Sequence, residues 1–287
     1  MNRRLDLCGE PSSRLLGELG RLIDEDIIGS ARCSTQTNST NQDAINEWQQ
    51  SEVAATSLPR LHITESQTAG RGRRGRTWVS DDTALTFSLV IDADTLESSI
   101  DRYAWLSIAV GVGAAEALEF YVSPRQIGIK WPNDLCIASG SDSIHKLGGI
   151  LIESASATIV NRRKAIVIGI GINLNQAPDI ADGFPAASLS QWTNRPIERH
   201  EIVHSVVQSV IETLADWASD DSSLLRRIQQ RCVLTGKQIT LRQLGDDVDE
   251  IIGHCLGISQ DGSLMIDVQG RKRSFITGEI ASVRLIR

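Results

Sequence analysis

A strand that is apolar on both faces needs a covering layer on both faces. The run AIVIGIGINLN, residues 165–175, is such a strand. Its two sides carry Ile on one and Ala, Val and Gly on the other, so neither suits water. ALTFSLVID (84–92) and KLGGILIESA (146–155) have the same strand-like character, as does the alternating RLHIT (60–64), and QIGIKWPNDL predicts a short strand running into a turn. Helices are available to cover them. Residues 12–28, 41–55, 101–120, 197–218 and 221–233 read as helical, with Thr40 or Asn41 as a cap for the second. Trp105, Ile108, Val112 and Ala115 lie on one side of the third. Val203, Val207, Val210, Leu214 and Trp217 form one stripe on the fourth. The pattern predicts an α/β (α+β) fold, a mixed central sheet flanked by helices.

The pattern changes at Thr235. KQITLRQ, DEIIGHCLGIS, SLMIDVQ and RSFITGEIASVRL are short strands separated by GDDVD, QDGS and QGRKR turns, which predicts a small C-terminal β-barrel. The expected division is an N-terminal extension over 1–30, a main domain over 31–234 and the small barrel over 235–287.

Composition narrows the function. Asp and Glu total 36 against 29 Lys and Arg, a net charge of −7, whereas general nucleic-acid binders are basic. The 38 residues before Ser39 hold one helix pattern, fewer than the three helices and hairpin of a winged helix-turn-helix. Cys8, Cys33, Cys136, Cys232 and Cys255 are scattered without a C-x-x-C, which points to a reducing, cytoplasmic setting. The first residues, MNRRLDLCGEPSS, lack the apolar core of a signal peptide. The most apolar run, YAWLSIAVGVGAAEAL, is closed by Glu116 and Glu119 and reads as too short to span a bilayer.

Against this acidic background, Gly70–Arg76 packs four arginines and three glycines into seven residues. Gly70-Arg71-Gly72-Arg73-Arg74-Gly75 fits G-x-G-x-x-G, with Asp92 near the place of a ribose-binding acid. A dinucleotide site needs a helix opening at the last glycine, and the residues that follow are strand-like instead. His200-Glu-Ile-Val-His204 fits H-E-x-x-H on a helix, but no third zinc ligand follows, so the histidines are expected on a solvated helix edge with no bound zinc. The segment is then a solvated basic turn, a nucleic-acid contact, or a loop that orders around an anion. Glycines let backbone N–H groups turn inward, and arginine forks grip carboxylates and phosphates. Before the anion arrives, four like charges should repel and keep such a loop mobile.

Four separated stretches extend this picture: STNQ (39–42), ESQTAGRGRRGRTW (65–78), KWPNDL (130–135) with HKLGGILIE (145–153), and GIGINLN (169–175). In this order they resemble the biotin protein ligases over about residues 31–234, and the terminal GEIASVRLIR resembles the C-terminal domain of that family. The resemblance implies a biotin/lipoate ligase-like catalytic domain followed by an SH3-like barrel. It implies that biotin and MgATP form biotinyl-5′-AMP, and that a specific lysine of a biotin carboxyl carrier protein then takes the biotin. It implies catalytic roles for Lys146, Arg71, Arg73 and Asp134. The biotin site it implies comprises Ser39, Thr40, Asn41, Gln67, Gly70, Arg71, Gly72, Arg73, Lys146, Gly149, Gly169 and Gly171. The implied nucleotide site comprises Arg71, Arg74, Arg76, Trp78, Asn133, Asn173 and Arg284. Trp78 is either the partner of the adenine or a packing residue. Asn133 and Asp134 either hold Mg²⁺ or receive the incoming lysine. Ser39 and Thr40 present hydroxyls to a neutral ureido group or cap the helix. Expected partners are the carrier protein, biotin and ATP, without nucleic acid or membrane, and with the enzyme a monomer or homodimer. Lipoate or octanoate ligases share the chemistry, but their linear acyl pocket wants apolar residues in place of Ser39, Thr40 and Gln67. A biotin-sensing repressor is the alternative from a different class.

Overall fold

The computed structural model describes residues 4–50, 54–94, 103–139, 143–156, 164–179, 184–193, 195–219, 222–243 and 250–284. Residues 101–102 of the helix expected over 101–120, residues 51–53 of the one expected over 41–55 and the GDDVD turn lie outside these residues; the second helix ends earlier than expected, capped at Gln50.

An eight-stranded mixed sheet forms the body. Its strands are β1 (Leu5–Cys8), β2 (Ser30–Thr37), β3 (Arg60–Gln67), β4 (Ala84–Asp92), β5 (Ile127–Lys130), β6 (Asp134–Ser139), β7 (Ser143–Ser156) and β8 (Lys164–Asn173), in the order β1-β2-β3-β4-β8-β7-β6-β5. The first three run parallel and the other pairings are antiparallel. The helices are α1 (Ser13–Asp24), α2 (Thr40–Gln49), α3 (Tyr103–Val122), α4 (Arg199–Ala218) and α5 (Ser222–Arg231). The N-cap of α2 is Ser39, and its side chain makes no cap hydrogen bond. Residues 4–29 are woven into this body, with β1 as the edge strand and α1 packed on α4.

The strand pattern explains why the two faces differ. Leu85, Phe87, Leu89 and Ile91 of β4 and Ile166, Ile168, Ile170 and Ile172 of β8 point into one core with α1, α3, α4 and α5. The intervening residues face α2, where the apolar cluster is small: Ala44, Trp48, Val90, Ala155, Ala165 and Val167. α3 corrects the expectation drawn from its sequence. Its segment Trp105–Val122 is long and apolar enough to cross a membrane, but 72% of it is buried inside this protein. It is apolar because α4, α5 and the sheet surround it.

The second sheet contains β9 (Gln238–Arg242), β10 (Glu250–Ile258), β11 (Leu264–Val268), β12 (Arg271–Phe275) and β13 (Glu279–Arg284), all antiparallel, in the order β12-β11-β10-β9-β13. Two sequence expectations shift here. RSFITGEIASVRL is two strands, and the QGRKR turn is only Gln269-Gly270, both with positive φ, so the basic residues Arg271–Arg273 lie in β12. The two sheets meet where buried Trp131 donates from Nε1 to the Gly262 carbonyl at 3.0 Å.

With little apolar area under it, α2 is held by charge. Arg60 on β3 donates to both oxygens of Glu47 on α2, at 2.9 and 2.7 Å, and to Asp6 on β1 at 2.6 Å. His62 Nε2 lies 2.9 Å from the second Glu47 oxygen. Burial alone would raise the Glu47 pKa, but the contacts to His62 and Arg60 outweigh it and bring it to about 2. Burial pushes the His62 pKa down. Removing one partner of such a pair leaves an uncompensated charge, so Arg60→Met should destabilise the fold by about 3–5 kcal/mol in urea unfolding. A loss below about 1 kcal/mol would show that the pair does not anchor α2. Because the folded Glu47 pKa is depressed, its contribution is complete above about pH 4.5 and is lost as pH falls toward about 2.

Candidate active site

The α2 face of the sheet opens into a cleft of about 700 Å³. One end is neutral and polar. Thr40 donates its backbone N–H to Gln67 Oε1 at 2.8 Å, and its hydroxyl lies 2.7 Å from the Ser88 hydroxyl. Ser88 donates to Asn41 Oδ1 at 2.5 Å, and Asn41 Nδ2 donates to Glu153 at 2.8 Å. Ser39, Thr40 and Asn41 are buried yet line the cleft. The start of α2 therefore presents a preset array of donors and acceptors.

Two glycines on β8 make room for that array. A Cβ at Gly169 would lie 2.3 Å from Asn41 Oδ1, and one at Gly171 would lie 2.3 Å from Cε2 of the Trp78 indole. Trp78 covers this strand and donates from Nε1 to Thr86 Oγ1 at 3.3 Å. Asn173 at the end of β8 lines the cleft, with its amide donating to the Ala187 carbonyl at 3.0 Å.

The other end is charged. Among the described residues, six cations line the cleft (Arg71, Arg73, Arg74, Arg76, Lys130 and Lys146) against three carboxylates (Asp134, Asp179 and Glu279). This surplus lies in a chain of net charge −7, so the field is local and suits an anion. The arginines come from the loop and a short 3-10 turn, Arg73–Gly75, in which Arg74 is left-handed at φ 60°. The lysines come from the sheet. Lys130 Nζ and Lys146 Nζ lie 2.8 and 2.7 Å from opposite oxygens of Asp134. Burial alone would raise the Asp134 pKa, but these two ammonium groups outweigh it and hold the carboxyl below its usual range.

Each of the four loop arginines has a partner within the protein. Arg71 binds Gln42 at 3.0 Å and Glu153 at 2.8 Å. Arg73 donates to Asn133 Oδ1 at 3.0 Å. Arg74 reaches Glu279 of β13 at 2.6 Å, and Arg76 pairs with the same carboxylate. Burial and the neighbouring Arg74 push the Arg73 pKa down. Like charges are thus distributed over four carboxylate or amide partners.

Most residues singled out from the sequence converge here. Gly72 and Gly149 line the cleft, and Gly70 packs under the Trp78 carbonyl. Asn133 uses both ends of its amide, accepting from Arg73 and donating to the Ile150 carbonyl at 2.8 Å. Arg284 does not join them. It lies exposed near the far end of β13, while Gly278, Glu279 and Ile280 at the near end form the wall. The histidines of the HEIVH pattern are half-buried on α4, away from the cleft, and His204 Nε2 is 2.9 Å from Glu25. Sequence reasoning missed Lys130 and Glu279 in the cleft wall, and Ser88 and Glu153 as partners of residues that line it. Three of them lie inside the quoted motifs, but nothing in a linear motif says which carboxylate an arginine will meet.

The Biotin/lipoate A/B protein ligase family model matches residues 33–173. The chain is 28% identical to a biotin–[acetyl-CoA-carboxylase] ligase of Mycobacterium tuberculosis over 87% of each chain. It is 27% identical to the bifunctional ligase/repressor BirA of Escherichia coli over 88% of this chain and 74% of that one. Its structure is similar to a biotin protein ligase from Aquifex aeolicus in complex with biotin and ATP. The TM-score is 0.70 at 25% identity, covering 89% of this chain and 99% of the other.

The shared carboxylate of Glu279 makes a direct prediction. Glu279→Gln should release Arg74 and Arg76 and speed tryptic cleavage after them several-fold in the ligand-free protein, because local opening controls cleavage. Cleavage at the wild-type rate would mean that the loop is held by something else.

Proposed function

We infer that this chain, whose residues 33–173 match the biotin/lipoate A/B protein ligase family model, is a biotin–protein ligase of that family, attaching biotin to a carrier lysine at the expense of ATP. The observation that carries this conclusion is one cleft with two chemically opposite ends. The Thr40–Ser88–Asn41–Gln67 array suits a neutral ureido ring that both donates and accepts. The cationic end suits a carboxylate brought against a triphosphate. A lipoate pocket needs no such array, which favours biotin over a linear acyl chain.

The reaction has two steps. An oxygen of the biotin carboxylate attacks the α-phosphorus, the bond to the β-phosphate oxygen breaks, and pyrophosphate leaves. The neutral amine of a carrier lysine then attacks the acyl carbonyl of biotinyl-5′-AMP, a proton is lost from nitrogen, and AMP leaves. We assign Lys146 and Arg73 to the carboxylate and α-phosphate, Arg71, Arg74 and Arg76 to phosphate oxygens after they leave Glu153 and Glu279, and Trp78 to the adenine. Asp134 is already engaged by two ammonium groups. We therefore assign it to fixing those lysines, and its depressed pKa makes it a weak proton acceptor. Magnesium enters, on this proposal, as the counter-ion of ATP. Asn133 orients Arg73.

The acceptor is proposed to be a biotin carboxyl carrier protein, with the enzyme working in the cytoplasm as a monomer or homodimer and without nucleic acid. Unpaired thiols at all five cysteines support a reducing compartment. The deciding assay offers labelled biotin, lipoate and octanoate with MgATP to a panel of carrier domains. Biotin alone should be incorporated, and incorporation of lipoate or octanoate instead would overturn the assignment. Lys146→Ala should keep the fold but lose about 2–4 kcal/mol of transition-state stabilisation in adenylation, roughly 30- to 1,000-fold in rate. Single-turnover pyrophosphate release at the wild-type rate would remove Lys146 from this role.

A further inference from the structure

Lys130 is a second lysine ammonium in the cleft, buried where Lys146 is half-buried, and the two steps above leave it without a task of its own. Only 8% of it is exposed, yet it lines the cleft. Among the described residues its one carboxylate partner is shared, since Asp134 offers a single negative charge to both Lys130 and Lys146. The flat face of Phe184, with the ammonium 4.1 Å from the ring centroid, gives a further but uncharged partner. A buried cation that is only half neutralised favours an incoming anion.

Its position is also fixed in advance. Lys130 ends β5 and Asp134 begins β6, directly opposite each other in the antiparallel register. The tip between them is held at three points: Trp131 on the Gly262 carbonyl, Ser107 on the Pro132 carbonyl at 2.8 Å, and Asn133 on the Ile150 carbonyl. The loop arginines must leave other partners before they can bind phosphate, whereas Lys130 needs no rearrangement. Preset charge of this kind is what stabilises a developing anion most effectively.

We propose that Lys130 is a further catalytic residue, the cation that receives the departing pyrophosphate. This rests on the adenylation chemistry proposed above. As the carboxylate–phosphorus bond forms and the bond to the β-phosphate breaks, the electron pair passes to the pyrophosphate oxygen. Lys146 lies toward the carboxylate and α-phosphate, and Lys130, on the opposite oxygen of Asp134, meets the next phosphate along. Once pyrophosphate has gone, Lys130 has no part in transfer to the carrier lysine. A lysine that served only to neutralise Asp134 would matter equally to both steps.

The experiment separates the steps in the full-length protein. Lys130→Gln should slow biotin-dependent ATP–pyrophosphate exchange on the order of 100-fold. Transfer from added biotinyl-5′-AMP to the carrier should stay within about threefold of wild type, a change too small for a lost charge contact. Lys130→Arg, which keeps the charge, should recover part of the exchange. Parallel loss of both steps, or no loss of exchange, overturns the assignment. A measurement on the wild-type protein avoids any folding defect in the variants. Inorganic pyrophosphate should protect Lys130 from acetic anhydride, read by peptide mass spectrometry, and absence of protection overturns it. Failure of the wild type to catalyse any biotin-dependent exchange would instead bring down the parent activity, and this assignment with it.

Discussion

The pairing of β4 with β8 sets two opposite surfaces on the same backbone. Nine residues of β4, Ala84 to Asp92, lie in continuous register with β8. Leucines, Phe87 and isoleucines alternate with Thr86, Ser88, Gly169 and Gly171 on the two strands. One surface therefore supports the large core with α1, α3 and α4, and the other cannot. A slip of one residue would exchange them and abolish both core and cleft. The sheet thus protects its functional face by burying the opposite one.

That choice dictates how α2 is attached. A helix lying on threonine, serine, histidine and arginine gains little from apolar burial, so the Glu47–Arg60–His62 contacts hold it. Buried ion pairs of this sort contribute less to stability than apolar packing but fix geometry closely. Geometry is what the start of α2 requires, because Thr40 and Asn41 must meet Gln67, Ser88 and Glu153 within hydrogen-bond distance. Asp6 of β1 binds the same arginine, so the first strand of the chain braces the site from the far edge of the sheet.

The charged end follows a similar logic. Four arginines and two lysines can share one small space only if anions are interleaved. The protein supplies them as Glu153, Glu279 and Asp134, each accepting one or two cations. The first two are partly exposed and hold flexible arginines, so a phosphate can replace them at small cost. Asp134 is buried between buried Lys130 and half-buried Lys146, which hold both of its oxygens. The cleft therefore sets partly exposed arginine pairs over a buried carboxylate.

Local sequence carried the elements and the chemistry types. The doubly apolar 165–175 run required a covered central strand because neither side of it can face water. Gly70–Arg76 pointed to an anion because arginine forks on a glycine-rich loop suit carboxylate and phosphate oxygens. The STNQ, KWPND and GIGIN stretches were legible because each is short and its spacing is set within one turn or strand. Pairing was not legible. Arg74 meets Glu279 across 205 residues, and only the packing of the second sheet on the first brings them together. Arg284, five residues further on, looked as suitable and lies outside the cleft wall. Lys130 became significant only when the β5–β6 register set it opposite Asp134. Sequence determines which groups a strand or loop carries, since periodicity and turn chemistry are local. Tertiary structure decides which groups share a charge, since that depends on distances set by strand register and sheet packing.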